Sequence, residues 1–199
     1  MERGRPRTFD TDQALDAVLA VFWRNGYQGA SLAELTKATG LTKPSLYAAF
    51  GNKEALYLAA LRRYREQQLT KHANTLAAEP NLKKAMRQFL RSVAEMLTAE
   101  ELPGGCMVVN SAVACDIGAL PQRVVASIGD TVNQSSFGLL KNRLQNELKK
   151  RNLPAGTPVE QLADYFTAIM SGMAVMAKVG VEKDRLFKTI EHALSVLPD

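Results

Sequence analysis

The side chains best suited to chemistry in this sequence fall within residues 31–50. Lys43, Ser45 and Tyr47 would share one face of a short helix there, with Leu46 on the opposite face. Lysine and serine can donate hydrogen bonds to base edges and to phosphate oxygens. Because both lie near the start of that helix, the part that reaches furthest into a DNA groove, we expect Lys43 and Ser45 to contact base edges in the major groove.

Two capped helices must position these side chains. Ser31 is a good helix N-cap, and Glu34 three residues on completes a capping box. Gly40 can adopt the left-handed conformation that a sharp reversal needs. Thr42 caps the second helix, and Pro44 falls in its first turn, where a missing N–H costs little. The pattern predicts a helix-turn-helix; the alternative is a generic pair of core helices.

Cys106 is a second candidate for chemistry. It follows two glycines and is expected near a helix N-terminus, where the helix dipole favours a thiolate. An electrophile or oxidant sensor is one hypothesis, and a buried, inert cysteine is the other. Cys115 follows nine residues later. On one helix the two thiols would therefore point to opposite faces, too far apart for a disulfide.

Other patterns for catalysis are missing from the sequence. The two histidines, His72 and His192, stand alone, with no second ligand at zinc spacing. There is no nucleophile elbow, no P-loop and no glycine-rich dinucleotide turn. The sequence therefore gives no support to an enzyme, and we expect no cofactor and no metal.

The charge distribution favours a polyanionic partner at the N-terminal end. Residues 1–65 hold ten Lys/Arg and six Asp/Glu, which is +4 of the chain's net +5. Three of the cations, Arg3, Arg5 and Arg7, lie in a short arm that glycine and proline keep from being helical. Such arms can enter the minor groove of A·T-rich DNA. The alternative is a solvated tail.

The compartment is expected to be cytoplasmic. No apolar stretch follows the basic N-terminus, as a signal peptide would require. No run approaches the roughly 18 apolar residues of a membrane span, so no membrane partner is expected. Two cysteines in 199 residues do not make a disulfide framework.

Residues 22–32, FWRNGYQGASL, and 46–56, LYAAFGNKEAL, resemble the N-terminal DNA-binding domain of TetR-family transcriptional regulators. The resemblance is specific over about residues 8–60. It implies an all-helical homodimer with a ligand-responsive C-terminal domain, and phosphate contacts by Thr42, Tyr47 and Lys53. The sequence departs from the family pattern at Ala48-Ala49, where many members have an aromatic residue or a histidine.

The rest of the chain reads as helices with no strand alternation, giving an all-α fold of about nine helices. We divide it into a helix-turn-helix domain, residues 1–52 with a basic arm at 1–9, and a helical effector-binding and dimerisation domain, residues 53–199. Thr157 and Glu160 suggest a further capping box, which would start a helix at 158–178. A last helix is expected at 182–197.

Two sets of apolar residues are candidates for the remaining sites. The helices at 158–178 and 182–197 carry more apolar side chains than one inward face needs, which predicts a two-fold interface. The predicted interface residues are Leu162, Ala168, Gly172, Met176, Phe187, Ile190 and Leu194. The resemblance implies an apolar effector pocket among the C-terminal helices. Its candidate residues are Met86, Phe89, Cys106, Tyr165, Phe166 and Ile169.

The leading hypothesis is a sequence-specific repressor of transcription that binds double-stranded, palindromic operator DNA. A small-molecule effector of unknown identity would release it. The alternative is a thiol-based repressor that senses electrophiles or oxidants through Cys106. A nonspecific architectural DNA binder is a third hypothesis, distinguished by strong salt dependence without sequence preference. The sequence does not separate repression from activation.

Overall fold

The computed structural model describes residues 9–113 and 120–198, apart from the side chain of Ser135. The arginine arm and Cys115 lie outside these residues. Three helical stretches, Lys53–Tyr64, Arg65–Leu69 and Thr70–Ala78, follow one another without a gap and form one helix, α4. Gln122–Thr131, Val132–Phe137 and Gly138–Lys149 likewise form α7. The other helices are α1 Thr11–Gly29, α2 Leu32–Thr39, α3 Lys43–Phe50, α5 Leu82–Leu97, α6 Met107–Val113, α8 Val159–Lys178 and α9 Lys183–Ala193, which ends in a 3₁₀ turn, Leu194–Val196.

The prediction of an all-helical fold is thereby confirmed for the described residues, where nine helices and no strand occur. None of these helices is long and apolar enough to cross a membrane. One local prediction is wrong: Thr157 and Glu160 form no capping box at the start of α8. The Thr157 hydroxyl donates to the carbonyl of Pro154, and Glu160 pairs with Lys141 instead.

Helices α1 to α3 form a small unit around a shared apolar core. Asp10 caps α1 by accepting hydrogen bonds from two backbone N–H groups of its first turn. The helix is interrupted at Gly26, whose φ of 67° lies in the left-handed region. Leu35 from α2 and Leu46 from α3 are completely buried. The two short helices are therefore held by packing as well as by their caps.

Helix α4 contacts both α1, in the N-terminal part of the chain, and α6, in the C-terminal part. Arg63 donates two hydrogen bonds to the Asp16 carboxylate of α1, at 2.8 and 3.0 Å. The Tyr57 ring meets Phe22 of α1 edge-on at 5.1 Å, while its hydroxyl bonds to Ser111 of α6 at 2.8 Å. A shift of α4 relative to the C-terminal helices would therefore be felt by α1.

The C-terminal helices pack around α5 and α8. Helix α5 contacts α4, α8 and α9, and α8 also contacts α7. The end of α4 is held by Arg143 of α7, whose guanidinium donates to the carbonyls of Leu76, Glu79 and Pro80. These carbonyls have no partner within the helix, so Arg143 satisfies acceptors that would otherwise be unpaired.

Two helices carry a π-helical segment, Arg65–Leu69 in α4 and Val132–Phe137 in α7. Arg65 donates to Gln134 across the gap between them. Gly138 follows the second segment, and a Cβ there would lie 2.7 Å from the carbonyl oxygen of Asn133. Only glycine fits this close backbone approach. π-Helical segments frequently mark functional sites, and these two flank an internal cavity.

Candidate nucleic-acid interface and internal cavity

The turn between α2 and α3 is fixed by local hydrogen bonds. The Glu34 backbone N–H donates to the Ser31 hydroxyl, and the Glu34 carboxylate accepts from the Ser31 backbone N–H at 2.9 Å. That backbone bond is the main reason why the pKa of Glu34 lies below its usual value. Gly40 ends α2 with a φ of 68°, as predicted. The Ser31 hydroxyl donates to Glu34 as well, so it belongs chiefly to the cap.

The first turn of α3 presents an exposed polar surface. Thr42 caps the helix by accepting from the Ser45 N–H, and the two hydroxyls lie 3.0 Å apart. Thr42, Lys43, Pro44 and Ser45 are all exposed, whereas Leu46 is buried. The Lys43 ammonium lies 5.8 Å from the centre of the Tyr47 ring. The predicted base-contacting side chains, Lys43 and Ser45, are therefore both exposed in the first turn of α3.

Lys53 is half-buried at the start of α4. Its ammonium lies 4.9 Å from the centre of the Tyr27 ring and 3.5 Å from the carbonyl of Gln28. Burial lowers the pKa of Lys53, and Glu34 partly offsets this. The cation thus lies beside the last turn of α1, against Tyr27 and Gln28.

A cavity of about 70 Å³ lies among α4, α5, α6, α7 and α8. Its apolar wall includes Phe89, Met96, Val132 and Met170. Its polar lining residues are Tyr64, His72, Cys106, Thr131, Ser136, Thr167 and Ser171. Among residues 9–113 and 120–198, no Asp, Glu, Lys or Arg lines it. An apolar enclosure with a few placed polar groups is the usual form of a small-molecule site.

Cys106 lines this cavity and is hydrogen-bonded to Tyr64 of α4. The Tyr64 hydroxyl donates to the Cys106 sulfur at 3.2 Å. Burial raises the pKa of Tyr64 well above its usual value, so the phenol keeps its proton. The same Tyr64 ring meets Trp23 of α1 edge-on at 4.7 Å. A contact made with Cys106 is therefore linked through Tyr64 to Trp23 of α1.

Sequence comparison identifies both parts of the chain. Residues 14–60 match the family described as "Bacterial regulatory proteins, tetR family". Residues 83–193 match "Tetracyclin repressor-like, C-terminal domain". The chain belongs to the TetR family. This TetR-family regulator is 32% identical to the HTH-type transcriptional repressor ComR of Escherichia coli K12, over 99% of this chain and 93% of ComR.

Two further relatives are informative. A cysteine variant of the TetR-family regulator CifR, solved with a 26-bp double-stranded operator, superposes with a TM-score of 0.91. It is 35% identical, and the match covers 98% of this chain and 100% of that one. The transcriptional repressor NemR of Escherichia coli K12 is 27% identical over 86% of this chain and 83% of its own.

The structure places the predicted pocket residues of this TetR-family protein in three locations. Phe89 and Cys106 line the cavity. Met86 and Phe166 are completely buried elsewhere in the core. Tyr165 and Ile169 lie on the other side of α8, in a depression between α8 and α9. The cavity therefore brings together Phe89 and Cys106 of the predicted set, whereas Tyr165 and Ile169 lie on the opposite face of α8, which helical spacing alone does not distinguish.

The outer face of α8 is apolar and partly open. Ala168 and Gly172 are exposed, as are Val175 and Val179, which keep 43% and 75% of their accessible surface. A Cβ added at Gly172 would meet no atom within 4 Å. We call these four residues the α8 strip. It adjoins the depression lined by Tyr165 and Ile169.

The other predicted interface residues divide into two groups. Leu162, Met176 and Phe187 are half-buried, and the guanidinium of Arg91 lies 4.0 Å from the centre of the Phe187 ring. Ile190 and Leu194 are buried within the protomer, with exposed fractions of 0% and 1%. The interface prediction is corrected for these two, because they form the inward face with which α9 packs on α5.

Sequence reasoning missed His72 as a cavity residue and considered it only as a metal ligand. It also missed Thr131, Thr167 and Ser171, whose positions carry no local pattern. Within residues 9–113 and 120–198, no group of three His, Cys, Asp or Glu side chains is placed to hold a metal ion.

Proposed function

We propose that this protein is a transcriptional repressor that binds a palindromic operator as a homodimer and leaves it when a small molecule occupies the cavity. Relatives support the proposal, since ComR and NemR are described as transcriptional repressors and CifR has been solved on operator DNA. The observation that carries it is the exposed polar turn at the start of α3, held by two capped helices on a buried core.

The DNA contacts follow from that surface. Lys43 and Ser45 would reach base edges, while Thr42, Tyr47 and Lys53 would bind phosphates. Pro44 and Ser31 would border the same surface. Arg3, Arg5 and Arg7 would enter the adjacent minor groove. In this assignment residues 1–52 form the DNA-binding domain and residues 53–199 the effector and dimerisation domain, with α4 as their connection.

The dimer is assigned to α8 and α9. The α8 strip leaves apolar surface open to solvent, and two copies related by a two-fold axis would cover it. Leu162, Met176 and Phe187 would extend the contact. Such an interface would bury on the order of 2,000 Å² or more. It would place two copies of α3 at a fixed separation, as two half-sites require.

For an effector to release the operator, ligand binding in the cavity must be coupled to the separation between the two copies of α3. A ligand can shift the equilibrium only by its difference in affinity for the two states. The cavity wall includes α4 through Tyr64 and His72, and α4 also bonds to α1 through Arg63 and Asp16. A ligand that moves α4 would change the spacing between the two recognition helices.

The test begins with selection of DNA bound by the full-length protein from a random pool. We expect the selection to recover a palindromic sequence. Footprinting and a reporter assay then measure binding and repression at that sequence. An absence of enrichment, with affinity that falls steeply with salt, would support the architectural binder instead. Increased transcription from the selected site would show activation.

A second candidate function is thiol sensing by Cys106. The observation in its favour is the 3.2 Å hydrogen bond from the Tyr64 hydroxyl to the Cys106 sulfur, which lines the cavity. Cys106→Ser should leave operator affinity unchanged and abolish release by electrophiles or peroxide, whereas Cys115→Ser should not. An alkylation rate for Cys106 no faster than that of an unfolded peptide would refute this function.

A further inference from the structure

An open groove lies on the surface between α4 and α7, next to the internal cavity. Its volume is about 400 Å³, against about 70 Å³ for the cavity. Leu69 of α4 and Leu139 of α7 line both spaces, and both side chains are half-buried. These two residues, which we call the leucine pair, therefore form part of the wall that the groove and the cavity share.

The leucine pair lies where both helices depart from α-helical geometry. Leu69 is the last residue of the π-helical segment of α4, and Leu139 follows the π-helical segment of α7 by two residues. Such segments are among the few places at which a helix bends sharply. Arg65 and Gln134 join the two segments through a hydrogen bond of 3.2 Å. A shift of either segment would open a passage at the leucine pair, from the groove into the cavity.

The groove is charged. Arg62, Arg65 and Glu66 line it, so its ionised side chains carry a net charge of +1. Arg62 is exposed and forms no ion pair or hydrogen bond with any residue that the structure describes. The guanidinium of Arg65 donates to the neutral amide oxygen of Gln134. Two cations therefore stand at the groove without a carboxylate bound to either of them in the described part of the chain.

The difference in charge between the two spaces favours a ligand with two unlike ends. A guanidinium binds a carboxylate through two parallel hydrogen bonds, and a carboxylate is a stronger acceptor than the amide of Gln134. Inside the cavity a carboxylate would lose its hydration without a counter-charge, because no ionised side chain of the described residues lines it. A charged head would therefore stay in the groove.

The volumes and the lining set the form of the other end. The cavity of about 70 Å³ compares with the roughly 10–15 Å³ that one water needs, so it holds about half a dozen non-hydrogen atoms. Its apolar wall suits an alkyl chain and is formed by side chains that include Phe89, Met96, Val132 and Met170. The net charge of +1 at the groove matches a head with one negative charge.

We propose that the groove and the cavity form one site for a monoanionic amphiphile, whose carboxylate binds Arg62 and Arg65 and whose unbranched chain passes the leucine pair and places about six carbon atoms in the cavity. The proposal rests on the proposed function, because it names the chemical class of effector for the same cavity. An uncharged chain would lack the contact with the arginines, and a cationic one would be repelled by them.

Calorimetric titration of the full-length protein without DNA tests this class. Octanoate, 1-octanol and octylamine share a chain of eight carbon atoms and differ in the charge of the head. Octanoate is expected to bind about tenfold more tightly than octanol, the factor expected for a charge-assisted hydrogen bond, and octylamine more weakly than either. Apolarity alone would give the opposite order for octanoate and octanol. Octanol binding as tightly as octanoate would overturn the proposal.

The length of the chain tests the use of the cavity. From butyrate through hexanoate to octanoate the affinity should rise about fourfold for each added methylene, as burial of apolar surface predicts. It should level off at decanoate, because the cavity is then full. Equal affinities along the series would confine binding to the groove and would contradict the proposal.

Methyl ¹³C spectra of the methionines locate the chain without any substitution. Met96 and Met170 line the cavity, whereas Met86 is completely buried elsewhere in the core. Octanoate should shift the methyl resonances of Met96 and Met170 and leave that of Met86 unchanged. Octanoate that binds and shifts neither cavity methionine would leave the chain outside the cavity, and the proposal would be wrong.

Two variants assign the preference for octanoate to the groove. Arg62→Gln and Arg65→Gln each remove one cation from a side chain that is not buried, so both proteins should fold. Each should weaken octanoate binding about threefold and leave octanol binding unchanged. Arg123→Gln is the control, because it removes an exposed cation of α7 that lies outside the groove and pairs with Glu54. A preference for octanoate that persists in both groove variants would contradict the assignment.

Operator binding is measured separately, so the two proposals fail differently. If octanoate binds as expected but leaves operator affinity unchanged, the ligand class is supported and the cavity is not the effector site. If uncharged molecules release the operator and bind in the cavity more tightly than octanoate, the effector function is supported and the ligand class is wrong.

Discussion

Trp23 and Gly105 are 82 residues apart in the sequence, yet the indole N–H of Trp23 donates a buried 3.0 Å hydrogen bond to the Gly105 carbonyl. Asn110 strengthens the same junction by donating to the carbonyls of Trp23 and Gly104. Gly105 has a φ of 65°, and a Cβ there would lie 2.9 Å from the Asn110 side-chain oxygen. The loop before Cys106 is therefore locked directly onto α1, beside the connection through α4.

The junction gives a first prediction. Trp23→Phe removes the donor and leaves a buried carbonyl unpaired, so it should lower the free energy of unfolding by about 1–3 kcal/mol. Lys178→Met breaks another link between the same two parts of the molecule, the exposed bond from Lys178 to the Arg24 carbonyl, and should cost less than about 0.5 kcal/mol. Urea unfolding measures both. If both substitutions lowered the free energy of unfolding equally, the buried Trp23–Gly105 bond would not be the main link between α1 and the C-terminal helices.

Base reading is predicted to depend on Lys43. Lys43→Ala should cost about 1–3 kcal/mol of operator binding and relax the preference at one position in each half-site. Lys149→Ala, at the far end of α7, is the control and should change neither. Selection from a random pool with each variant gives the comparison. An unchanged base preference in Lys43→Ala would show that this residue does not read bases.

Lys53 should act on every sequence alike. Its ammonium must leave the Tyr27 ring to meet a phosphate, and the contact would carry no sequence information. Lys53→Ala should weaken specific and nonspecific binding equally and reduce the salt slope by about one unit per site. Titrations at several salt concentrations measure the slope. A slope that matches the unaltered protein would remove Lys53 from the phosphate contacts.

The dimer is tested at Gly172. The open space around it means that an arginine fits the folded protomer, so Gly172→Arg should give a folded monomer. Operator binding should fall although every proposed DNA contact is intact. Gly129→Arg, at another exposed helical glycine with no neighbour within 4 Å, should remain a dimer. Light scattering measures the oligomeric state of each protein. A stable wild-type monomer at micromolar concentration would contradict the two-half-site mechanism.

Stability should depend on pH through His72. Its pKa is about 4 in the folded chain against 6.5 unfolded, so between these values the unfolded chain binds the extra proton. Stability should therefore fall as the pH drops from about 6.5 to 4, by up to about 3 kcal/mol. His72→Gln should remove this slope, whereas His192→Gln should keep it. Carboxylates whose pKa is lowered, such as Asp16, act mainly below this window.

Part of the molecule was predictable because its determinants are local. Ser31 and Glu34 are three residues apart and form their capping box as expected, and Thr42 caps α3 in the same way. These bonds depend on neighbours within one turn, so the sequence alone indicates them. The same reasoning failed at Thr157, because Glu160 instead forms an ion pair with Lys141 on another helix. A local rule holds only where no distant partner competes.

The faces of the helices and the composition of the cavity were decided by tertiary packing. Ile190 and Gly172 both sit in apolar helical patterns, yet one is completely buried and the other is open to solvent. The cavity joins side chains from α4, α5, α6, α7 and α8, which no spacing in the sequence relates. The residue types determined that such helices form; which side of each helix meets another, and so where His72 points, follows from how the helices pack.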